Sequence, residues 1–403
     1  MRLTHLSLTN FRLFSRLDMD LPRRILLLVG SNAQGKTSLL EAIFFMATFS
    51  SFHAQNDRQL INFLAGQDAL SVGRMIGTYQ RVDRQHRLEV RLIQDLNGNG
   101  GTRLRKEILL DGVKTPANQV VGHLSAVIFL PQMTRILEGG PEERRRYLNL
   151  AVAQANPGFS QILADYNQAL AQRNALLKQL NEHGGDPSQL EFWDNVLSSK
   201  GAAIILMRIQ AVKQIEQLAM RVHEKLTGST EVLRLLYQPS YDPLPKPEGQ
   251  IALPIQTSIQ RDGFSMAQIH QGFAARLAEV RREEIQRGVT TIGPHRDEMR
   301  VQCNGIDLTD FGSRGQVRTA ILSLKLAEVD WLKQMTGEWP VLLLDETLAE
   351  LDTLRRECLL QYLENAEQAI LTTTDMNLFP AGFTQKCERW QVVQGNIEKL
   401  SED

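Results

Sequence analysis

The stretch Gly30-Ser31-Asn32-Ala33-Gln34-Gly35-Lys36-Thr37 fits the pattern G-x-x-x-x-G-K-[S/T], which describes a phosphate-binding loop. The apolar run 25–29 before it predicts a buried parallel strand, and the residues at 39–47 after it carry apolar side chains at helical spacing. Strand, glycine-rich loop and helix in this order are the context that the motif requires. The stretch therefore predicts a nucleotide-binding domain of the α/β class.

The residue types in this loop suit a bound phosphate. The glycines let backbone N–H groups converge on an anion, and the helix that follows adds the positive end of its dipole. Lys36 supplies a positive charge for the β- and γ-phosphates, and Thr37 supplies a hydroxyl ligand for Mg²⁺. We therefore expect ATP and Mg²⁺ as cofactors. The loop residues predicted to bind the nucleotide are Gly30, Ser31, Asn32, Ala33, Gln34, Gly35, Lys36, Thr37 and Ser38.

Two further apolar runs, at 341–344 and 369–371, predict buried strands that end in polar residues. Asp345 and Glu346 follow the first run, and the segment 372–375 follows the second. A parallel sheet with its ligand at the carboxyl ends of the strands has this layout. Asp345 is predicted to hold Mg²⁺, directly or through water, and Glu346 to polarise the attacking water. With Lys36, these two acids are the predicted catalytic residues.

The composition is that of a globular protein of two or three domains: 403 residues, 42% apolar and 23% charged, with a net charge of −1. No apolar run reaches the ~18–20 residues that cross a bilayer, and the N-terminus lacks a signal peptide, so we expect a cytoplasmic protein without a membrane partner. The cysteines, at 303, 358 and 387, lack metal or disulfide spacing and are interpreted as packing residues. The net charge neither supports nor excludes DNA, so any DNA-binding surface must be local.

The chain changes character twice along its length. Residues at about 71–114 alternate between apolar and polar, which predicts an antiparallel meander with turns at 97–101 and 111–112. From about 141 to 289 the pattern is strongly helical. We therefore predict a discontinuous ATPase head, 1–140 plus 290–403, which contains the β meander, and a helical insertion domain at 141–289.

Several basic residues have two possible roles. Arg12 either contacts phosphate or adenine, which we favour, or is solvated. Arg144–Arg146 either form a solvated helix face or bind DNA or the acidic groups of a partner. His295–Arg296 either belong to a structural turn or reach the nucleotide or an interface. The basic residues of the meander, which line a solvated sheet face or contact the phosphate backbone of DNA, are Arg81, Arg84, Arg87, Arg91, Arg103, Arg105 and Lys106.

A second anion-binding motif lies near the C-terminus. Ser313, Gly315 and Gln316 form a Ser-x-Gly-Gln turn before a predicted helix, and offer a hydroxyl, backbone N–H groups and a helix dipole. The turn resembles the signature motif of the ABC-type ATPases. In that superfamily the signature closes over the nucleotide bound by a second head, so the resemblance implies that these three residues contact ATP within a dimer.

Together the motifs resemble the ATPase heads of the SMC type and, because the helical middle is short, the RecF family of bacterial recombination mediators. The resemblance covers residues 1 to about 400. It implies an ABC-type (SMC-like) P-loop ATPase head with an antiparallel β lobe and an inserted helical domain. The matching segments are 10–12, the phosphate loop, 139–146, 291–297, 313–316, 342–346, 350–352 and 372–375.

The resemblance also implies a function. A RecF protein would bind double-stranded DNA or single/double-strand junctions, form an ATP-dependent homodimer, hydrolyse ATP weakly with DNA stimulation, and load RecA at gaps with RecO and RecR. Glu346 stands where the family usually has aspartate, and Gln132 stands where it usually has glutamate. Since Gln132 resembles the glutamine that senses Mg²⁺ in ABC ATPases, it is a further predicted metal ligand. The alternative is the ATPase subunit of another ABC-type machine, a transporter or a DNA-processing nuclease complex.

Overall fold

A computed structural model describes residues 1–67, 70–82, 84–96, 102–244, 261 and 263–400. The predicted turn at 97–101 and residues 245–254 of the proline-rich segment lie outside the described residues. The chain forms two compact units, one made of residues 1–133 and 328–403 and the other of residues 134–327. Within the described residues, no helix combines the length and apolar character needed to cross a membrane.

The elements follow one another along the chain with strands concentrated at both ends. The strands are β1 (Arg2–Phe11), β2 (Phe14–Asp20), β3 (Ile25–Val29), β4 (Leu70–Arg81), β5 (Arg84–Leu96), β6 (Thr102–Leu110), β7 (Val113–Lys114), β8 (Ala126–Phe129), β9 (Leu233–Gln238), β10 (Glu298–Cys303), β11 (Ile306–Asp307), β12 (Val341–Asp345), β13 (Ala369–Thr373), β14 (Cys387–Val393) and β15 (Asn396–Lys399). The helices are α1 (Lys36–Thr48), α2 (Ala117–Val120), α3 (Arg135–Glu138), α4 (Pro141–Ala155), α5 (Phe159–His183), α6 (Leu190–Thr227), α7 (Met266–Arg287), α8 (Leu308–Phe311), α9 (Arg314–Thr336), α10 (Thr353–Glu364) and α11 (Ala381–Thr384).

The first unit contains a six-stranded sheet in the order β15-β14-β3-β13-β12-β8. All neighbours pair in parallel except β14 and β15, which are antiparallel. The predicted strands at 25–29, 341–344 and 369–371 are confirmed as β3, β12 and β13, and they are almost entirely buried. Parallel strands covered on both faces are continuous apolar runs, which is why they could be found in the sequence. The phosphate loop and both acids therefore follow strands of one sheet.

The first unit also contains an antiparallel sheet in the order β2-β1-β4-β5-β6-β7. The predicted meander is confirmed, and it is extended by the first two strands of the chain. Leu88, Val90 and Leu92 are fully buried, as expected from their alternation with polar residues. The hairpin from β6 to β7 turns at Asp111 and Gly112, whose φ angles of 52° and 83° explain the Asp-Gly pair.

The second unit contains α4 to α7, the start of α9, and a small antiparallel sheet in the order β11-β10-β9. Gly228 and Gly288 terminate α6 and α7 with left-handed backbone. The spacing Ser-x-x-Gln at 265–268 predicts a capping box, which is confirmed at the start of α7. The spacing Ser-x-x-Glu at 188–191 also predicts one, which is wrong, because Asp186 caps that turn and α6 begins at Leu190.

The second unit is larger than the predicted insertion at 141–289. It includes β10, which pairs along its whole length with β9, about sixty residues earlier in the chain. Residues 290–327, which the sequence analysis predicts as part of the head, lie within this second unit. The Ser-x-Gly-Gln turn is part of this segment.

Candidate nucleotide-binding site

The phosphate loop lies between β3 and α1, as the motif requires. The backbone N–H of Gly30 donates to the carbonyl of Thr373 over 3.3 Å, which joins the start of the loop to β13. A Cβ at Gly30 would lie 2.5 Å from the carbonyl oxygen of Val392, and Gly35 has a φ of 110°. Close backbone approach requires the first glycine, and left-handed geometry favours the second.

Lys36 is buried at the first position of α1, with 5% of its side chain exposed. Its ammonium donates to the carbonyl oxygens of Gly30 at 2.7 Å and Ser31 at 3.0 Å. The same nitrogen lies 3.3 Å from Oε1 of Glu346. The structure thus brings together two of the predicted catalytic residues, and it holds the ammonium against the loop.

The predicted Mg²⁺ ligands Thr37 and Asp345 are in direct contact. The Thr37 hydroxyl lies 2.8 Å from Oδ2 and 3.0 Å from Oδ1 of Asp345. Thr372 donates its hydroxyl to Oδ1 of the same acid over 2.7 Å. Hydroxyl and carboxylate oxygens are the ligands that Mg²⁺ prefers, so this pair of residues fits the ion that the sequence predicts.

Glu346 follows β12 with left-handed backbone, at a φ of 48°. Its N–H donates to the hydroxyl of Thr372 over 3.1 Å, and its Oε2 accepts from both the N–H and the hydroxyl of Thr374 at 3.3 Å. The two threonines therefore orient the predicted catalytic acid. The sequence places the run 372–374 at the same edge as Glu346 but does not indicate this role, because the hydrogen bonds depend on β12 and β13 being direct neighbours.

Gln132, the third predicted metal ligand, is exposed in the turn Pro131–Thr134 that follows β8. Thr347, directly after the acidic pair, donates its hydroxyl to the carbonyl of Phe129 at the end of β8 over 3.1 Å. Since β8 and β12 are parallel neighbours, this turn and the acidic pair lie at the same edge of the sheet. The role of Gln132 toward Mg²⁺ stays a prediction.

Arg12 makes ordered contacts with protein groups. Its Nε and one terminal nitrogen donate to the carboxylate of Glu41 over 2.7 and 2.8 Å, and the other terminal nitrogen donates to the carbonyl of Gln59 over 2.9 Å. Glu41 is 1% exposed on α1 and also accepts from the hydroxyl of Ser51. In the sequence, Glu41 stands out as a carboxylate among the apolar residues of the helix predicted after the phosphate loop, and this could have indicated a buried ion pair. A nucleotide contact by Arg12 stays a prediction.

The Ser-x-Gly-Gln turn begins α9 in the second unit. Gln316 donates its N–H to the Ser313 hydroxyl over 3.3 Å, and its side-chain oxygen accepts from the Ser313 N–H at 3.2 Å. Ser313 and Gly315 are exposed, and a Cβ at Gly315 would meet nothing within 4 Å. The turn therefore presents the start of a 23-residue helix to solvent, which is an arrangement that suits an anion.

Two basic residues have structural roles. Arg144 is 3% exposed and donates twice to the carboxylate of Glu298, over 2.7 and 2.8 Å, so both surface interpretations of this residue are wrong.

One ring nitrogen of His295 lies 2.7 Å from the hydroxyl of Tyr166 and the other 3.2 Å from the carbonyl of Thr290. Burial lowers the pKa of His295 to about 4, so the ring is neutral at pH 7. Its contacts support the structural turn.

Comparison with known proteins agrees with this geometry. The RecF/RecN/SMC N terminal domain family matches residues 2–397. The DNA replication and repair protein RecF of Roseiflexus castenholzii is 38% identical over 98% of this chain and 99% of its own length. A solved structure of the recombination mediator protein RecF with ATP, in the RecFOR pathway, covers 99% of this chain and 98% of its own, with 27% identity and a TM-score of 0.82.

A structure of the Smc head bound to the C-winged helix domain of ScpA covers 100% of this chain and 98% of its own, at a TM-score of 0.52 and 12% identity, a likeness of fold alone. The predicted class, an ABC-type (SMC-like) P-loop ATPase head with an antiparallel β lobe and an inserted helical domain, is confirmed. The chain belongs to the RecF/RecN/SMC N terminal domain family, and the full-length relatives that it matches at 33–38% identity are RecF proteins.

Proposed function

We propose that the protein is a recombination mediator of the RecF type, which acts on cytoplasmic DNA during replication and repair. It binds ATP with Mg²⁺, binds DNA, and forms an ATP-dependent homodimer whose weak hydrolysis is stimulated by DNA. RecO and RecR are its proposed partners in placing RecA at gaps. The observation that carries the proposal is full-length similarity to RecF proteins, and the contact network of Lys36, Thr37, Asp345 and Glu346 supports its nucleotide chemistry.

The residues of the network divide the chemistry of ATP hydrolysis. Lys36 and the loop N–H groups bind the phosphates, while Thr37 and Asp345 hold Mg²⁺. When bound, the ion neutralises charge on the β- and γ-phosphates. Glu346, oriented by the N–H and hydroxyl of Thr374, accepts a proton from the attacking water.

A transporter or nuclease subunit is the alternative. Such proteins share the nucleotide site, so the site alone does not distinguish them. Full-length similarity to RecF proteins, through the antiparallel sheet and the helical unit as well as the head motifs, favours the RecF-type function.

The exposed face of the antiparallel sheet is the proposed DNA-binding surface. Arg74 and Arg91 are directly opposite each other on β4 and β5, and with Arg87 they surround one buried carboxylate, Glu89. Burial opposes the charge of Glu89, but hydrogen bonds from Arg74 and Arg91 hold its pKa below the usual range. Glu107, opposite Arg91 on β6, is the second acid of this cluster and pairs with Lys114. Three guanidinium groups and one ammonium group around two carboxylates leave excess positive charge, for which the phosphate backbone of DNA is a matching anion.

Replacing Arg87 or Arg91 by glutamine should weaken DNA binding without changing sequence preference. Log affinity should fall with log salt at about −0.9 per phosphate contact, and each substitution should reduce that slope by ~1. Fluorescence anisotropy with a labelled duplex at several salt concentrations measures this. Arg276→Gln, at an exposed arginine of the helical unit, is the control. An unchanged slope in both variants would place the DNA surface elsewhere.

Two other predicted basic residues of the meander are unsuitable for this test. Arg81 donates to Glu338 over 3.0 Å, and Lys106 lies 2.7 Å from Asp57 and over the ring of Phe45. Substituting either of them removes a contact between the sheet and another segment of the chain, whereas the ion pairs of Arg87 and Arg91 are with Glu89 of their own strand.

Glu346→Gln should bind ATP normally, slow hydrolysis by ~10²–10⁴-fold and accumulate the ATP-bound dimer. The amide keeps the shape of the carboxylate but cannot take a proton from water. Light scattering with ATP, together with phosphate release, measures both effects. Glu357→Gln, at an exposed acid on α10, should behave as the parent protein. A variant that stays monomeric with ATP and hydrolyses it at the parent rate would remove Glu346 from the mechanism.

A further inference from the structure

Three side chains with metal-ligating atoms meet in the second unit, away from the phosphate loop in sequence. His223 lies on the last turns of α6, Glu231 precedes β9, and Cys303 ends β10. The pairing of β9 with β10 places Cys303 opposite Leu233, two residues after the glutamate. One ligand atom from each side chain lies within 4.8 Å of the others. His223 and Cys303 are buried, and Glu231 is 20% exposed.

The two ring nitrogens of His223 face different hydrogen-bonding partners. The hydroxyl of Ser323 donates to the carbonyl of Thr319 over 2.8 Å, so its oxygen is an acceptor toward the imidazole. Nδ1 of His223 lies 3.0 Å from that oxygen, a distance that fits donation from Nδ1. Nε2 of the same ring faces Oε2 of Glu231 at 3.2 Å, so a proton or a metal ion bridges these two atoms.

A lone pair and a carboxylate oxygen at this distance repel each other unless a cation lies between them. A proton on Nε2 would satisfy the two groups, and so would a metal ion. Sγ of Cys303 lies 4.0 Å from the same Nε2, and its thiol is hydrogen-bonded to the Glu231 carboxylate, so all three side chains converge on one point. A metal ion at this point would take one ligand atom from each of them. The Ser323 hydroxyl beside Nδ1 fixes the orientation of the ring, as outer hydrogen-bond partners do for ligating histidines.

The distances and the donor set match zinc. Ligand atoms around a tetrahedral Zn²⁺, with bonds of about 2.0–2.3 Å, lie roughly 3.3–3.6 Å apart. The separations of 3.2 Å and 4.0 Å need only small side-chain movements to reach this geometry. A mixed nitrogen, sulfur and oxygen set suits Zn²⁺, whereas Mg²⁺ and Ca²⁺ prefer oxygen alone.

We propose that His223, Glu231 and Cys303 form a Zn²⁺ site, with solvent as the fourth ligand on the side where Glu231 is exposed. A coordinating cysteine binds as the thiolate, so zinc would displace the thiol proton of Cys303, and affinity for the ion should rise with pH.

The site adjoins the signature turn. Glu231 uses Oε2 toward His223, while its Oε1 accepts a hydrogen bond from the Gln316 side chain over 3.1 Å. Gln316 in turn makes the reciprocal hydrogen bonds with Ser313. A zinc ion would hold the carboxylate that positions this turn. This consequence rests on the proposed function, since it matters only if the turn contacts ATP in a dimer. Zinc binding itself does not depend on it.

The full-length protein, purified without a metal-affinity step, is treated with a chelator and then dialysed against Zn²⁺. We expect about one zinc ion per chain by atomic emission, as in a single three-ligand site. Cys303→Ser and Glu231→Gln should each lower zinc retention at least tenfold. Cys387→Ser, at a half-buried free cysteine of the first unit, is the matched control and should retain the ion. Thermal melting followed by circular dichroism identifies variants that fail to fold.

Co²⁺ substitution in the parent protein tests the site without any variant. A sulfur-to-cobalt charge-transfer band, together with the visible bands of tetrahedral cobalt, is expected, and both should be absent in folded Cys303→Ser. The proposal is overturned if the chelated parent protein takes up no zinc, if cobalt gives only octahedral bands, or if Cys387→Ser loses the ion as fully as Cys303→Ser. ATP-dependent dimerisation is measured separately, so failure of the proposed function leaves the metal result interpretable.

Discussion

Lys36→Ala should lower the affinity for ATP by about 10- to 100-fold, because hydrogen bonds to charged groups contribute roughly 1.5–3 kcal/mol. The ammonium is the buried cation of the phosphate loop, and its contacts in this structure are two loop carbonyls and Glu346. Titration with a fluorescent ATP analogue measures the loss. Lys114→Ala, at an exposed lysine of the antiparallel sheet, should keep the parent affinity.

The fold should survive this change. Alanine is a good helix former, and the apolar residues of α1 that pack against the sheet are untouched. A melting temperature close to that of the parent protein is therefore expected. Parent affinity for ATP in Lys36→Ala would mean that the loop does not bind the phosphates.

Ser313→Arg should bind ATP as a monomer, fail to dimerise and lose hydrolysis by at least about 100-fold, the loss typical when a preorganised donor is removed from a reacting phosphate or oxyanion. The exposed serine begins α9 in the second unit, whereas Lys36, Asp345 and Glu346 lie in the first. In the proposed dimer, each ATP lies between Lys36 of one protomer and Ser313 of the other. An arginine in the turn would meet the nucleotide bound by the partner and block closure.

Ser265→Arg is a matched control, because Ser265 is also an exposed serine that caps a helix of the second unit. Light scattering and nucleotide titration should show parent behaviour for that variant. If the Ser313→Arg monomer cannot bind ATP, Ser313 belongs to the pocket of its own chain and the composite site is wrong.

Mixing two inactive proteins sharpens this test. A heterodimer of Lys36→Ala and Ser313→Arg carries both lesions at one composite site and leaves the other site intact. Hydrolysis should partly return on mixing, with a maximum near equal amounts of the two proteins. Mixing Lys36→Ala with Glu346→Gln should give no recovery, because each lesion then lies on the phosphate-loop side and every site retains one of them.

The local sequence determined the elements around the nucleotide. Each of β3, β12 and β13 is an apolar run that its own residues make recognisable, and the glycines and Lys36 follow one of them directly. Parallel strands place their carboxyl ends at one edge, so the proximity of the loop and Asp345 followed from strand assignments alone. The alternation of Leu88, Val90 and Leu92 predicted the antiparallel sheet in the same way.

The tertiary structure decided what depends on pairing between distant segments. Hydrophobic periodicity shows that a strand exists but not which strand it joins, so the pairing of β9 with β10, which holds residues 298–303 in the second unit, was not evident from the sequence. The proximity of Cys303 to His223 likewise depends on the tertiary structure. Burial of charge is equally non-local. Arg144 has the sequence context of a surface residue, and the carboxylate of Glu298, more than 150 residues away, makes its burial possible.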